Sequence, residues 1–314
     1  MTLKRTFYKP FEYPWAYDLY KKHEQMHWLP EEVDFRDDVR DWNEKLSVAE
    51  KHLLTQLFRF FTQGDIDVAS GYRKIFMPEF GDVPELAMMM MSFAAREAVH
   101  IDAYSTLIET VGIPDTTYSQ FMEYKAMMDK HEYLDVSRSL LENLAVFAAF
   151  GEGMQLFSSF AILMNFERYG KMKGMCNIVR WSIKDEAVHV EGMLRLFKTL
   201  YTELSEKEKK SLEESVCFIG HKMVNLEDTF INLCFSSGPI EGLTPEDMKE
   251  YIRFIANSRW TQLGFSGTLF SMVTKNPLSW LDWVINGQEH TNFFEAKPTE
   301  YTKAAVRKSE VIAW

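Results

Sequence analysis

Apolar residues recur at intervals of three and four along most of this chain, which is the spacing of one face of an α-helix. Glycine and proline fall mainly between these segments rather than within them. The pattern predicts an all-α protein. Helices are expected over residues 47–74, 84–112, 117–129, 134–168, 174–202, 206–236, 245–273 and 278–287.

Local signals mark where several of these helices begin. Ser47 with Glu50, and Thr244 with Asp247, have the residue types and spacing of N-terminal capping boxes. Ser205 precedes a charged helical segment and is expected to open it. The helix starts are therefore predicted from hydrogen-bonding chemistry as well as from periodicity.

The helical pattern continues to about residue 287, and no segment before that point has the composition of an inter-domain linker. Periodicity is then lost, which is typical of a terminal tail. We therefore expect one helical domain over residues 1–287, followed by a C-terminal tail over residues 288–314.

Composition narrows the classes of function. The 314 residues are 46% hydrophobic and carry a formal net charge of −11, with acidic and basic residues mixed along the chain. Neither nucleic acid nor a membrane surface is therefore an expected partner. Three separated cysteines without a CxxC motif favour a reducing cytoplasm. The chain begins without a signal-like apolar segment, and its most apolar run, residues 85–95, is too short to span a membrane.

The segment REAVHIDAY (96–104) places a carboxylate, an imidazole and a phenol on one helix face, because Glu97, His100 and Tyr104 are spaced by three and four residues. The segment KDEAVHVEG (184–192) repeats the pattern with Glu186 and His189. Each of these groups needs a partner if it is buried, since an unpaired polar group costs several kcal/mol to desolvate.

An acidic residue lies at a similar distance upstream of each ExxH motif. Asp65 is 32 residues before Glu97, and Glu152 is 34 residues before Glu186. The middle of each interval falls on a predicted turn, at 78–84 or 169–174. Each acid should therefore lie level with its ExxH motif across a helical hairpin, so that two facing hairpins bring four carboxylates and two histidines together.

Four carboxylates in a dry helical bundle cannot all remain ionised without a compensating positive charge. Two metal ions would supply that charge. Ferritin-like di-iron and di-manganese proteins use one carboxylate from each of two helices and ExxH from each of two others. The sequence therefore predicts a ferritin-like bundle with a di-metal site in its core, formed by Asp65, Glu97, His100, Glu152, Glu186 and His189.

Two assignments have alternatives at this level. Asp67 lies two residues from Asp65, and spacing does not decide which of them is the ligand. Glu24 and His27 form a third ExxH motif, but no matching acid lies upstream, and we interpret this pair as a chance occurrence.

Two glycines flank Glu152 inside a predicted helix, where each costs up to about 1 kcal/mol relative to alanine. They indicate either close packing of helices or a π-bulge that frees the carboxylate to change its coordination.

Tyr104 also has two interpretations. It is either a core tyrosine or a phenol from which an oxidised di-metal centre removes one electron and one proton.

With these residues in hand, the chain resembles the small, radical-generating subunit of class I ribonucleotide reductase. The resemblance covers most of the chain and rests on the ligand motifs and the segments around them. These segments are WLPEEVDF (28–35), FFTQGD (60–65), REAVHIDAY (96–104), GEG (151–153), KDEAVH (184–189) and TNFFEAKPTEY (291–301).

The resemblance implies the six metal ligands already named, with Asp65 rather than Asp67, and a stored radical on Tyr104. It implies that Trp28 and Asp185, which is placed to accept a hydrogen bond from His100 or from the Trp28 indole, transfer the radical outward. Tyr301, in the tail, is then implied to relay it to a separate large, catalytic subunit on which the tail docks.

The same resemblance implies a homodimer with two metal ions in each chain. Iron is expected first, with Mn/Fe or Mn/Mn as alternatives, since both metals accept carboxylate and imidazole ligands. The large subunit would reduce ribonucleotides to deoxyribonucleotides. The interval from Asp65 to Glu97 is one residue longer than the family pattern, and we expect the extra residue near the 78–84 turn.

Two other functions fit a di-metal bundle. One is a ligand-binding oxidase or desaturase-type enzyme that acts on its own organic substrate, and the other is a ferritin-like storage protein without a radical. Tyr104, Trp28 with Asp185, and the tail around Tyr301 favour the reductase, because neither alternative needs an electron path to another protein.

Overall fold

The computed structural model describes residues 7–286, and within this range the chain forms helices and turns without a β-strand, which confirms the all-α prediction. The helices are α1 (Pro14–Glu24), α2 (Arg36–Glu44), α3 (Val48–Gly71), α4 (Met77–Phe80), α5 (Pro84–Thr110), α6 (Thr116–Ser119), α7 (Lys125–Leu134), α8 (Leu140–Leu144), α9 (Phe157–Arg168), α10 (Lys173–Tyr201), α11 (Glu206–Cys234), α12 (Pro245–Leu263) and α13 (Ser279–Asn286).

The predicted capping boxes are present. The Ser47 side chain accepts a hydrogen bond from the Glu50 amide at 3.2 Å, and the Glu50 carboxylate accepts from the Ser47 amide at 2.8 Å. Thr244 caps α12 in the same way, and Ser205 caps α11. These side chains satisfy amide groups that have no partner within the helix, which fixes where each helix begins.

The helix predictions fail where tertiary contacts or backbone conformation overrule the periodicity. Helices α1 and α2 lie in the aromatic- and proline-rich N-terminal region, where no helix is predicted from the pattern. Helix α12 ends at Leu263 instead of continuing to 273, because Gly264 adopts a φ of +99° and stops it. The helix predicted over 134–168 begins only at Leu140, and the one predicted over 117–129 is divided between α6 and α7, which continues to Leu134.

Two antiparallel hairpins form the part of the bundle that carries the predicted ligands. Helix α3 packs along α5, and the continuous segment of α8, residues 145–156 and α9 packs along α10. The chain turns between Phe80 and Pro84 and between Arg168 and Lys173, as predicted from the sequence. Helix α10 also packs against α5, so that the two hairpins face each other.

Buried acidic side chains hold the second of these turns in place. Asp38, on α2, accepts hydrogen bonds at 2.8 Å from the backbone amides of both Gly174 and Met175 at the start of α10. Asp41 accepts another, at 3.0 Å, from the amide of Met172, a residue in the left-handed region with a φ of 53°. A carboxylate at a helix N-terminus also interacts favourably with the helix dipole. Helix α2 thereby fixes the position of α10.

Two π-helical segments interrupt the hairpins. Ala145–Leu156 is π-helical around Glu152, which confirms that the flanking glycines accompany a departure from α-helical geometry. Close packing is also present, because a Cβ atom on Gly153 would lie 2.7 Å from Nε of Arg259. The second segment, Tyr72–Phe76, lies in the Asp65–Glu97 interval ahead of the turn. A π-turn accommodates an extra residue.

The segment Leu140–Arg168 is long and apolar enough to cross a membrane by length and composition alone. However, 89% of its most apolar window is buried inside the structure. It packs against α10, α11 and α12 as a core element. Its apolar character is therefore accounted for by the bundle interior.

The chain divides into two units, residues 1–278 and 279–314. Of the second unit, the structure describes only α13 (Ser279–Asn286). The predicted tail, including Tyr301, lies outside the described residues. The division into a domain over 1–287 and a tail over 288–314 stays a prediction.

A buried ion pair links α7 to α11. Nζ of Lys130 donates to Oε2 of Glu227 at 2.5 Å and lies 3.6 Å from the centroid of the Phe60 ring. Burial lowers the pKa of Lys130 and raises that of Glu227, despite their mutual attraction. Both shifts favour the uncharged forms. This indicates that the free-energy cost of desolvating the two charged groups exceeds the free energy gained from their attraction.

Lys130→Met is therefore expected to lower the free energy of unfolding by about 3–5 kcal/mol, because it leaves Glu227 buried without its partner. The double variant Lys130→Met/Glu227→Leu should recover most of that loss, since no buried charge remains. Denaturant unfolding followed by circular dichroism measures both. A double variant as unstable as the single one would contradict this interpretation.

Candidate metal centre

Six side chains from the two hairpins meet in the interior of the bundle. Each is at most 1% exposed to solvent. They come from α3, α5, the π-helical segment and α10, and they are Asp65, Glu97, His100, Glu152, Glu186 and His189.

Their donor atoms form two overlapping groups, within each of which all atoms lie within 4.8 Å of one another. The first group consists of Glu97, Glu152, Glu186 and His189. The second consists of Asp65, Glu97 and His100. Because Glu97 belongs to both, the arrangement offers two adjacent metal positions with a shared carboxylate.

Both imidazoles direct the same ring nitrogen at the carboxylates. Nδ1 of His189 lies 3.0 Å from Oε1 of Glu97 and 3.3 Å from Oε2 of Glu186. Nδ1 of His100 lies 3.4 Å from Oε2 of Glu97 and 3.3 Å from Oε1 of Glu186. Glu97 and Glu186 therefore each reach both histidines, as bridging ligands would.

Several of these atoms are buried without a hydrogen-bond partner among the described residues. They include Oδ2 of Asp65, both carboxylate oxygens of Glu97 and of Glu186, and Nδ1 of His189. Leaving so many acceptors unsatisfied would cost much of a domain's stability. Metal ions coordinated by these atoms would satisfy them, and oxygen with imidazole nitrogen is a donor set that iron and manganese accept. The residues fit a di-metal centre.

The charges of the cluster lead to the same conclusion. Burial, together with the neighbouring carboxylates, raises the pKa of Asp65 well above its usual range and that of Glu152 to about 7. Burial also acts to raise the pKa of Glu186, but the two imidazoles outweigh it and hold that pKa at about 2. Burial alone would lower the pKa values of His100 and His189, yet the surrounding carboxylates raise both strongly. These directions favour positive charge within the cluster, which bound metal ions would also supply.

The geometry also separates Asp65 from Asp67. Oδ2 of Asp67 lies 2.7 Å from Nδ1 of His131, and its Oδ1 accepts a hydrogen bond from Gln63 at 2.9 Å. Asp67 is thus paired elsewhere, whereas Asp65 lies among the cluster's donor atoms. Spacing alone left this choice open, because both residues lie on the same turn of α3.

Asp185 contacts both His100 and Trp28, which the sequence analysis gave as alternative hydrogen-bond donors. Nε1 of Trp28 donates to Oδ2 of Asp185 at 2.8 Å, and Nε2 of His100 lies 3.2 Å from the same oxygen. Since the carboxylate accepts from Nε2, Nδ1 of His100 is left for a metal ion. A continuous hydrogen-bonded path leads from the cluster to the Trp28 indole.

Tyr104 is buried one helical turn beyond His100, and its ring is stacked on Phe61 at a centroid distance of 4.6 Å and an interplanar angle of 15°. Its hydroxyl has no hydrogen-bond partner among the described residues. Burial, and then the charge of Asp65, raise the phenol pKa well above its usual value. The phenol therefore keeps its proton unless it also loses an electron.

Sequence reasoning missed three residues that contact the cluster or the neighbouring Asp185. The Tyr72 hydroxyl donates to Oε1 of Glu152 at 2.9 Å, and Nε of Arg96 lies 3.6 Å from Oδ2 of Asp185. Nε2 of His23 lies 3.1 Å from Nε2 of His189. Tyr72 follows Asp65 by two helical turns, and this register could have identified it. His23 lies on an unpredicted helix and gave no signal.

The third ExxH motif does not join the cluster. His27 is exposed, and neither it nor Glu24 belongs to the donor groups. This agrees with our interpretation of the pair as a chance occurrence.

Comparison with known proteins identifies the family. A family model described as "Ribonucleotide reductase, small chain" matches residues 5–277. The chain belongs to this family. It is 47% identical to a probable ribonucleoside-diphosphate reductase small subunit of Invertebrate iridescent virus 3, over 96% of this chain and 85% of the relative. It is 43% identical to the corresponding protein of Invertebrate iridescent virus 6, over 99% of this chain and 97% of the relative.

The fold is shared with solved structures of the family. The dimanganese(II)-NrdF structure from Streptococcus sanguinis matches with a TM-score of 0.81 and 21% identity, covering 90% of this chain and 99% of that one. Ribonucleotide reductase small subunits have ferritin-like helical folds with a di-metal site. The predicted fold class is therefore confirmed.

The family also confirms the general function. The chain is a small subunit of ribonucleoside-diphosphate reductase, an oxidoreductase whose small subunits generate a radical. A small subunit of a two-subunit enzyme requires a large-subunit partner. The ligand-binding oxidase alternative is not favoured.

Glu97→Ala and His189→Ala are each expected to lower the metal content from two ions per chain toward one or none, because each change removes a donor that faces the cluster. Metal analysis of the purified, iron-loaded variants measures this. His27→Ala, which alters an exposed histidine of the decoy motif, is the matched control and should keep both ions. Two tightly bound ions in both test variants would refute the ligand assignment.

Proposed function

We propose that this chain holds two metal ions with Asp65, Glu97, His100, Glu152, Glu186 and His189, and that it stores an oxidising equivalent on Tyr104. The radical then passes to the large subunit, which reduces ribonucleotides to deoxyribonucleotides. The convergence of six buried donor side chains beside a buried phenol is the observation that carries this proposal. When bound, the metal ions would supply the oxidising chemistry that, after reaction with an oxygen species, removes an electron from Tyr104.

The surroundings of Tyr104 suit a stored radical. The Phe61 ring centroid lies 4.6 Å from that of the phenol and 5.3 Å from that of Phe160, so apolar side chains shield this part of the core from water. The phenol must lose a proton together with its electron, because its pKa is well above the usual value. Asp65, whose charge acts on the phenol, is the proposed proton acceptor.

The path through His100, Asp185 and Trp28 is the proposed route outward. Its two hydrogen bonds, at 3.2 and 2.8 Å, connect a cluster imidazole to an indole that is 4% exposed. Asp185 orients both partners through a single oxygen atom. Tyr301 is the proposed next carrier, on the tail that docks to the large subunit.

We propose iron as the resident metal, with Mn/Fe or Mn/Mn as the alternatives. The oxygen and nitrogen donors accept either metal, and the dimanganese(II) protein from Streptococcus sanguinis has the same fold. Three free cysteines are compatible with the proposed cytoplasmic location.

We also propose that two copies of the chain associate. Ile66, on α3, is 47% exposed and Met91, on α5, is 53% exposed. Together with Met77 and Ile101 they line a surface groove. Covering these apolar side chains with a second copy would remove them from water.

Tyr104→Phe is expected to keep the fold and both metal ions but to abolish the tyrosyl radical, because phenylalanine fills nearly the same volume and has no oxidisable hydroxyl. Electron paramagnetic resonance of the iron-loaded, oxygen-treated protein detects the radical, and metal analysis provides the control. An unchanged radical signal would assign the radical to another residue.

Tyr301→Phe is expected to leave the metal ions, the Tyr104 radical and binding to the large subunit intact while removing reductase activity. Deleting residues 308–314 should instead weaken binding, because Val311, Ile312 and Trp314 are the proposed apolar anchors. Assays at saturating large subunit separate the two effects. Normal turnover by Tyr301→Phe would exclude this residue as a relay.

A further inference from the structure

A buried histidine outside the predicted ligand set lies directly behind one of the proposed ligands. His23, near the end of α1, has no solvent exposure, and its Nε2 lies 3.1 Å from Nε2 of His189. Its other ring nitrogen, Nδ1, lies 2.7 Å from the Ser92 hydroxyl, which donates to Oε1 of Glu24 at 2.6 Å. A hydrogen-bonded chain thus connects the cluster to the exposed residue Glu24.

The chemistry of the groups fixes the direction of every hydrogen bond in this chain. The Glu24 carboxylate can only accept, so Ser92 donates its hydroxyl proton to it. The Ser92 oxygen then accepts from Nδ1–H of His23. In a neutral imidazole the second nitrogen is an acceptor, so Nε2 of His23 accepts from Nε2–H of His189.

This polarity determines which ring nitrogen of His189 is free to bind a metal ion. Once Nε2 of His189 carries the proton, Nδ1 of a neutral imidazole has a free lone pair, and Nδ1 is the atom that faces Glu97 and Glu186. The opposite polarity would place the proton of His189 on Nδ1, where it would block a metal ion. It would also leave Glu24 without a donor from this chain.

This polarity requires a neutral His23. The carboxylate closest to its Nε2 is Asp185, whose Oδ1 lies at 3.7 Å, beyond hydrogen-bonding distance. A charged His23 would also have to donate to His189 rather than accept.

We propose that Glu24, Ser92 and His23 form a positioning chain that holds His189 in its Nε2–H tautomer and directs Nδ1 at the metal. This inference rests on the proposed function, in which His189 is a ligand. The two histidines are then held differently, since His100 donates to the Asp185 carboxylate and His189 donates to a neutral imidazole. Hydrogen bonds of this kind typically change metal affinity by about 10–100-fold.

The full-length protein, freed of metal and titrated with Mn(II), tests the chain, with free Mn(II) measured by electron paramagnetic resonance. His23→Leu should weaken one of the two Mn(II) positions by about 10–100-fold and leave the other unchanged. His23→Gln should restore most of the lost affinity, because its amide oxygen can accept from His189 while its amide nitrogen donates to Ser92. His27→Gln, an exposed histidine in the same segment, is the control and should bind as the unaltered protein does.

Two results would overturn the proposal. Unchanged affinity in His23→Leu would show that the hydrogen bond to His189 has no effect on the metal, and a His23→Gln variant as weak as His23→Leu would assign the effect to packing. If His23→Leu does not fold, Ser92→Ala decides. This small change breaks the link to Glu24, so it should weaken the same position, and unchanged affinity would overturn the proposal.

His189→Ala separates this inference from the proposed function. If His189→Ala keeps both Mn(II) positions, the ligand assignment itself is wrong. If it loses one position while His23→Leu and Ser92→Ala bind both ions normally, the assignment stands and only the positioning chain fails.

Discussion

The burial of four carboxylates in one helical bundle is the constraint on which the rest of this structure depends. Asp65, Glu97, Glu152 and Glu186 are all at most 1% exposed, and most of their oxygen atoms have no protein donor. Such a group of charges is tolerable only with positive charge among them, from imidazolium protons or from metal ions. The two facing hairpins, the fixed start of α10 and the shared position of Glu97 together place these donors around two adjacent metal positions.

The same requirement extends outward, because every buried ligand needs a partner behind it. His100 is held by Asp185, which also accepts from Trp28, and His189 is held by His23. The first arrangement ends at an indole suited to carrying an electron, and the second ends at a surface carboxylate. In our proposals, these supporting hydrogen bonds serve radical transfer on one side of the centre and ligand orientation on the other.

Departures from regular helix occur where the ligands are. Glu152 lies in a π-helical segment and accepts a hydrogen bond from Tyr72, which begins the other π-helical segment. Regular capping at Ser47 and Ser205 stabilises the surrounding bundle, which also encloses the buried pair of Lys130 and Glu227. The irregular segments thus give the carboxylate room within an otherwise regular scaffold.

The sequence by itself determined the all-α class, the two hairpins and five of the six cluster residues, because helical periodicity and matched spacing are local properties of the chain. It left Asp65 and Asp67 equivalent, since both lie on one turn of α3, and resemblance rather than spacing favoured Asp65. It gave no indication of His23, because α1 was not predicted and its contact with His189 joins residues 166 positions apart. Only the tertiary structure decided which buried groups meet, because hydrogen bonds between distant elements depend on how the helices pack.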